Sequence, residues 1–138
     1  MDLPVLLLPV FPGTIPTGFP SPADDYMEER INLNDLVHHP DSTFVVRSQG
    51  YSMINAFIPP NAMLLVDKSL TPKNNDIVVA SVNGEFTIKY LKVNDHKQKL
   101  VPANSKYKEI EIVDGMDFRI WGVVTHVISD PKNLKDVC

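Results

Sequence analysis

From residue 44 onward the sequence alternates between short runs rich in β-branched, aliphatic and aromatic residues and clusters of turn formers at regular spacing. Phe44-Val45-Val46-Arg47, Met63 to Asp67, Asp76 to Val82, Glu85 to Val93, Lys99 to Val101, Glu109 to Val113 and Phe118 to Ile128 read as seven strands. Asn83-Gly84 joins the third to the fourth by a tight hairpin, since both residues tolerate the positive φ such a turn needs. The last run is long enough to bend, and Gly122 is where it should do so. Asn32 or Asn34 can cap one short helix through Leu36 and Val37, stopped by Pro40, and Ala56 to Pro60 reads as a turn. Little helix remains, so the expected fold is all-β: a mostly antiparallel, partly open barrel or sandwich.

The first 22 residues are built differently. They hold six of the twelve prolines, so no regular helix runs through them and ladder hydrogen bonds are denied. Such an arm is extended, able to lie along a surface or in a cleft and to leave it. Its opening, Met1 to Gly13, is apolar, yet it has no basic start, carries Asp2, is broken by three prolines and is too short to cross a bilayer. It reads as an arm and not a membrane anchor. Ala23 to Arg30, acidic and polar, leads from the arm to the globular part.

At 138 residues the chain fits one domain with a real core. A single cysteine, Cys138, rules out a disulfide framework and points to an intracellular, cytoplasmic protein. The formal charge of -4 argues against a protein whose main partner is nucleic acid. The lysines at 92, 97, 99 and 106 are interleaved with Asp95 and Glu109, which reads as a solvated face, so no autonomous nucleic-acid binding is expected. His38 and His39 are adjacent and have no cysteine or acidic partner at metal spacing, and no acid near His126 in sequence would orient it. No metal and no cofactor are expected.

Two stretches carry possible chemistry. Ser48-Gln49-Gly50-Tyr51-Ser52-Met53-Ile54 places a hydroxyl two residues after a glycine, and a serine hydroxyl is a poor nucleophile unless a base takes its proton. The candidate base is Lys89, in Gly84-Glu85-Phe86-Thr87-Ile88-Lys89-Tyr90-Leu91, where Thr87, Lys89 and Leu91 share one face of a strand. If that face is buried, desolvation lowers the lysine pKa; a fall from ~10.4 to ~7 corresponds to roughly 4 to 5 kcal/mol. On residue type alone, Ser52 also reads as a helix N-cap and Lys89 as a snorkelling surface lysine. Both readings stay open at this point. In the arm, Thr17-Gly18 is a small dipeptide between stiff residues, a good shape for a protease subsite.

These residues resemble the UmuD proteins, mutagenesis-associated relatives of the LexA repressor in the family of self-cleaving Ser-Lys peptidases. Gly18-Phe19-Pro20-Ser21-Pro22-Ala23, then Tyr26, Arg30-Ile31 and Leu33-Asn34, are similar to the segment that begins at that family's cleavage bond. Ser52-Met53-Ile54 is similar to its nucleophile motif, and Gly84 to Lys89 to the strand that carries its lysine. Leu64-Leu65-Val66-Asp67, Asp76-Ile77-Val78, Pro102 with Asn104, and Gly122-Val123-Val124 with His126-Val127 follow in family order, so the resemblance runs from about Thr17 to Ile128.

The resemblance implies a regulated self-cleavage. A RecA filament on single-stranded DNA promotes attack by Ser52 on the Thr17–Gly18 carbonyl, with Lys89 as general base and then acid, and backbone N–H groups around Tyr51 and Ser52 hold the oxyanion. Residues 1–17 are then a removable arm and 18–138 a single Ser-Lys peptidase domain. The trimmed homodimer would join a UmuC-type Y-family DNA polymerase in error-prone translesion synthesis. Fewer than 23 residues precede Ala23, which leaves no room for the helix-turn-helix of a LexA-type repressor. Two positions depart from the family: Thr17, β-branched, stands where alanine or cysteine is common before the target glycine and can slow cleavage, and Tyr51 stands where aspartate is common. The arm is also shorter than usual. The alternatives are a catalytically weak dimeric polymerase adaptor of the same fold and a signal-peptidase-like enzyme, which would need a membrane anchor.

Overall fold

The computed structural model describes residues 7–18 and 29–134. Cys138, the first six residues of the arm and residues 19–28, which hold most of the acidic stretch and the Phe19-Pro20-Ser21-Pro22 motif, lie outside the described residues. The chain divides into two compact units, Met1–His38 and His39–Cys138.

In the first unit, β1 (Leu7–Pro9) pairs antiparallel with β2 (Arg30–Asn32), with Leu8 opposite Ile31. Proline was expected to deny such a ladder to the arm. It does not, because Pro9 ends the strand, and the next donor, Val10 N–H, reaches the Glu29 carbonyl at 2.8 Å. The short helix expected here is a single 3-10 turn, Leu33–Leu36, and its cap is Asn32, whose side chain accepts from Asn34 N–H at 3.0 Å.

The second unit is one seven-stranded sheet made of β3 (Thr43–Arg47), β4 (Met63–Asp67), β5 (Ile77–Val82), β6 (Glu85–Asn94), β7 (Lys97–Val101), β8 (Ile110–Ile112) and β9 (Phe118–Ile128). Their order across the sheet is β3-β4-β9-β5-β6-β7-β8, and every neighbouring pair is antiparallel. The all-β expectation therefore holds, strand by strand and to within two residues at each end. The largest difference is β7, which starts at Lys97 rather than Lys99. The β6–β7 turn is the two-residue loop Asp95-His96, both at positive φ, the geometry Asn83-Gly84 adopts between β5 and β6. His96 gives no turn signal in sequence, which is why the pattern alone starts the strand two residues late.

Alternation along β5 sends Val79 to one face and Val78 and Ala80 to the other, and all three are buried. On the first face Val79 joins Leu64 and Val66 of β4 and Met53, Ile58 and Ala62 of the segment between β3 and β4. On the second, Val78 and Ala80 share a cluster with Leu91, Leu100 and Val123, against which Ile110 and Ile112 of β8 also pack. Strand β8 is four places from β9 in the sheet, so this shared core requires the sheet to curl over itself.

The long β9 bridges the two halves by pairing with β4 and with β5, and it carries two bulges. Val79 faces Gly122 while Ala80 faces Ile120, leaving Trp121 extra; Leu65 faces His126 while Val66 faces Val124, leaving Thr125 extra. Gly122 sits between them, where a Cβ would meet Val66 Cγ1 at 2.7 Å and the Asp67 carbonyl oxygen at 3.1 Å. The bend expected at Gly122 is thus a place where two strands approach too closely for a side chain.

Candidate active site

The segment that leaves β3 is pinned before it reaches Ser52. Ser48 is buried; its hydroxyl donates to the Pro59 carbonyl at 2.6 Å and accepts from Ala62 N–H at 3.0 Å, while its backbone bonds Ala62 and Asn61. Both ends of the loop are thereby tied to each other. Gly50, at φ +81°, turns the chain, and Met53 and Ile58 then drop into the core, each at most 3% exposed. Ser52 lies between the turn and this anchor. The next turn, Ile54–Ala56, takes Met53 as its cap with no side-chain hydrogen bond, so Ser52 does not serve as its cap.

Ser52 Oγ instead stands 3.0 Å from Lys89 Nζ. Lys89 comes from the middle of β6 and is 8% exposed. Its Nζ also lies 2.6 Å from Thr87 Oγ1 and 3.2 Å from the Ile88 carbonyl oxygen. The contact with Thr87 follows from the shared strand face expected for positions 87 and 89. Among the described residues no carboxylate pairs with Lys89. Burial without a counter-charge pushes its ammonium below the ordinary lysine value.

Three polar neighbours suit either protonation state. The ammonium can donate to all three. The neutral amine can donate to Thr87 and Ile88 and turn its lone pair to the Ser52 hydroxyl, which is the arrangement a general base needs.

Ser52 and Lys89 line a cleft of about 440 Å³ whose other walls are largely apolar, among them Phe44, Val46, Met53, Ile58 and Ile88. Phe86 and Trp121, their rings 5.6 Å apart, stand at the same cleft. Sequence reading did not single them out: an exposed Phe in a hairpin strand and the extra residue of a bulge carry no pattern that marks a cleft wall. Asn104, noted only beside Pro102, donates to the Tyr51 carbonyl at 2.9 Å, and Ala103 N–H reaches the Ser52 carbonyl at 2.8 Å.

Thr17 and Gly18 belong to the first unit, where both are exposed in a bend outside any strand or helix. His39 does have an acidic partner, Asp67, at 2.5 Å, which lies 28 positions away and so escapes any reading of spacing. His126 Nδ1 contacts Thr125 Oγ1 at 3.1 Å. Among the described residues no three His, Cys, Asp or Glu side chains gather as a metal site, and no helix is long and apolar enough to cross a membrane.

Comparison with known proteins agrees with the all-β fold. The family model described as Peptidase S24-like matches residues 9–125, a span that includes Ser52 and Lys89. Protein ImpA of Salmonella typhimurium is 37% identical over 128 residues, 92% of this chain and 87% of its own length. Protein MucA of Escherichia coli is 39% identical over 131 residues, 93% of this chain and 89% of that protein. A LexA repressor of Stenotrophomonas maltophilia is 33% identical over 119 residues, 86% of this chain and 56% of the repressor. With a family model covering most of its length, and with ImpA and MucA matched over nearly nine-tenths of their own length, the chain belongs to the Peptidase S24-like family, in its UmuD-like group.

Proposed function

We propose that this protein is a self-cleaving serine peptidase of SOS mutagenesis, in which Ser52 is the nucleophile, Lys89 the general base and Thr17–Gly18 the target bond. The observation that carries the reading is the 3.0 Å contact between Ser52 Oγ and the buried Nζ of Lys89. Neutral Lys89 takes the Ser52 proton as Oγ attacks the Thr17 carbonyl carbon. The tetrahedral intermediate collapses, the C–N bond to Gly18 breaks, and Lys89 returns the proton to the leaving amine. Water then attacks the Thr17 ester with Lys89 again as base, which frees residues 1–17 and restores both side chains.

A RecA filament on single-stranded DNA stimulates the reaction, and the homodimer of residues 18–138 then acts as accessory subunit of a UmuC-type translesion DNA polymerase. Similarity to the UmuD-like proteins ImpA and MucA supports this wider role.

The test is to incubate wild type, Ser52→Ala and Lys89→Ala with RecA filaments, ATP and single-stranded DNA and to follow intact mass. Loss of the first 17 residues by wild type alone is the expected result. If Thr17→Ala is cut while wild type is not, the machinery works and the bond is a poor substrate. If neither is cut, even at alkaline pH where Lys89 is neutral, the peptidase reading fails and a non-cleaving adaptor takes its place.

A further inference from the structure

The loop that follows β7 grips both carbonyls beside the candidate nucleophile. The Asn104 side-chain amide donates to the Tyr51 carbonyl oxygen at 2.9 Å, and that oxygen also accepts from Ile54 N–H at 3.2 Å. Ala103 N–H donates to the Ser52 carbonyl oxygen at 2.8 Å, and the Ala103 carbonyl accepts from Asn55 N–H at 2.9 Å. The Asn104 amide is itself oriented: its Oδ1 accepts from Lys106 N–H at 3.0 Å, which leaves Nδ2 to face Tyr51.

A trans peptide is planar, so its N–H points opposite to its C=O. Tying down the Tyr51 oxygen therefore fixes the direction of Ser52 N–H, and tying down the Ser52 oxygen fixes that of Met53 N–H. Both amides therefore point away from the 102–107 loop, one on Ser52 and one on Met53, and both residues line the cleft. Donation into a peptide carbonyl also polarises that peptide and makes its own N–H a better donor.

We infer that Asn104 is a positioning residue for self-cleavage: by donating to the Tyr51 carbonyl it aims and polarises the Ser52 N–H toward the oxyanion that forms when Ser52 attacks. This rests on the peptidase reading above and adds to it a residue that touches neither the target bond nor Lys89. The requirement is for a donor at this position, not merely for a side chain that holds the loop. Asparagine supplies a donor to Tyr51 and an acceptor to Lys106 N–H; aspartate keeps the acceptor and the shape but has no donor.

The experiment compares wild type, Asn104→Asp and Asn104→Ala in RecA-independent self-cleavage across alkaline pH, with melting temperatures and with backbone chemical shifts of isotope-labelled protein. Expected for Asn104→Asp are a cleavage rate lower by about 10-fold to 100-fold, below the loss seen when a direct oxyanion donor is removed; an unchanged midpoint in the pH–rate profile, since Lys89 is not touched; and shifts at the Tyr51 carbonyl carbon and the Ser52 amide nitrogen. A wild-type rate in Asn104→Asp overturns the inference. So does a midpoint that moves with the rate, which would mean that the variant acts through Lys89. Unmoved Tyr51 and Ser52 shifts overturn it whatever the rates. If the shifts move as expected but wild type never cleaves, the peptidase reading has failed, and the role of Asn104 in it falls for that separate reason.

Discussion

Thr87 and Lys89 stand two positions apart on β6, and the Thr87 hydroxyl lies 2.6 Å from the Lys89 Nζ, closer than the Ser52 hydroxyl at 3.0 Å. Lys89, the proposed base, is thus held from its own strand as well as by the proposed nucleophile. Thr87→Val keeps the shape of the side chain and removes the acceptor. A hydrogen bond to the ammonium favours the charged form, so its loss should lower the Lys89 pKa further. The expected outcome is a pH–rate profile for self-cleavage shifted to lower pH, with a plateau reduced by about 10-fold because the amine is less well aimed. Measuring the rate from pH 6 to 11 checks both; an unshifted profile would mean that Thr87 only packs.

Burial of Lys89 carries a stability cost, one that the proposed role as a base requires. Its pKa is pushed below the ordinary 10.5 by burial, so between its folded and unfolded pKa values the unfolded chain binds more protons than the folded one. Stability from this group therefore rises with pH across that window, and the penalty is fully present below the folded pKa. Lys89→Met, which keeps the apolar stem, should melt higher than wild type at pH 6 to 7, by about 2–4 °C for each kcal/mol relieved. The difference should shrink as pH rises through that window toward 10.5. Thermal melts at pH 6.5 and 10.5 would show this, and a variant less stable than wild type at pH 6.5 would count against an uncompensated charge.

Much of this architecture is legible in the sequence because strand patterns and turn residues are local. The bounds of Met63–Asp67 and Phe118–Ile128 follow from the sequence pattern to the residue, and Asn83-Gly84 marks its hairpin through backbone chemistry that needs no neighbours. Strand periodicity alone puts Thr87 and Lys89 on one face. The β1–β2 ladder was not legible, since a three-residue strand ending in proline pairs with a segment more than twenty positions away. The contacts of Asn104 with Tyr51 and of Asp67 with His39 are hidden for the same reason: the first joins loops that follow β7 and β3, and the second needs the β3–β4 register that sets Thr43 opposite Asp67.

Gly122 offers a test of how closely β9 approaches its neighbour β4. A Cβ there would lie 2.7 Å from Val66 Cγ1 and 3.1 Å from the Asp67 carbonyl oxygen. Val66 is fully buried, and the backbone of β4 cannot retreat without disturbing its pairing with β3. Gly122→Ala should cost about 1–3 kcal/mol, in the range of overpacking in a filled core. Urea unfolding would register it as a lower midpoint with an unchanged slope. Gly84→Ala, at a position with φ +85° but open space around it, separates strain from crowding: its cost comes from backbone conformation alone.

Asp67 contributes to the loss of stability at acid pH. Its side chain is buried at the end of β4, where one oxygen accepts from the Ser69 hydroxyl at 2.6 Å and from Ser69 N–H at 2.8 Å, and the other meets His39 Nδ1 at 2.5 Å. The Ser69 hydroxyl, helped by His39 and the Ser69 amide, holds its pKa at about 2, below the ordinary 3.8, against the opposing effect of burial. A carboxyl with a depressed folded pKa contributes stability that is present above the unfolded pKa and lost as pH falls through the folded one. That window runs from about pH 4 down to about pH 2. Asp67→Asn cannot ionise, so its stability should fall less steeply than that of wild type across this window, while lying below wild type at pH 7 where the charged acceptor is missing. Urea midpoints collected at pH 7, 4 and 2.5 test the sign: parallel acid limbs would show that the contacts around Asp67 do not depend on its charge.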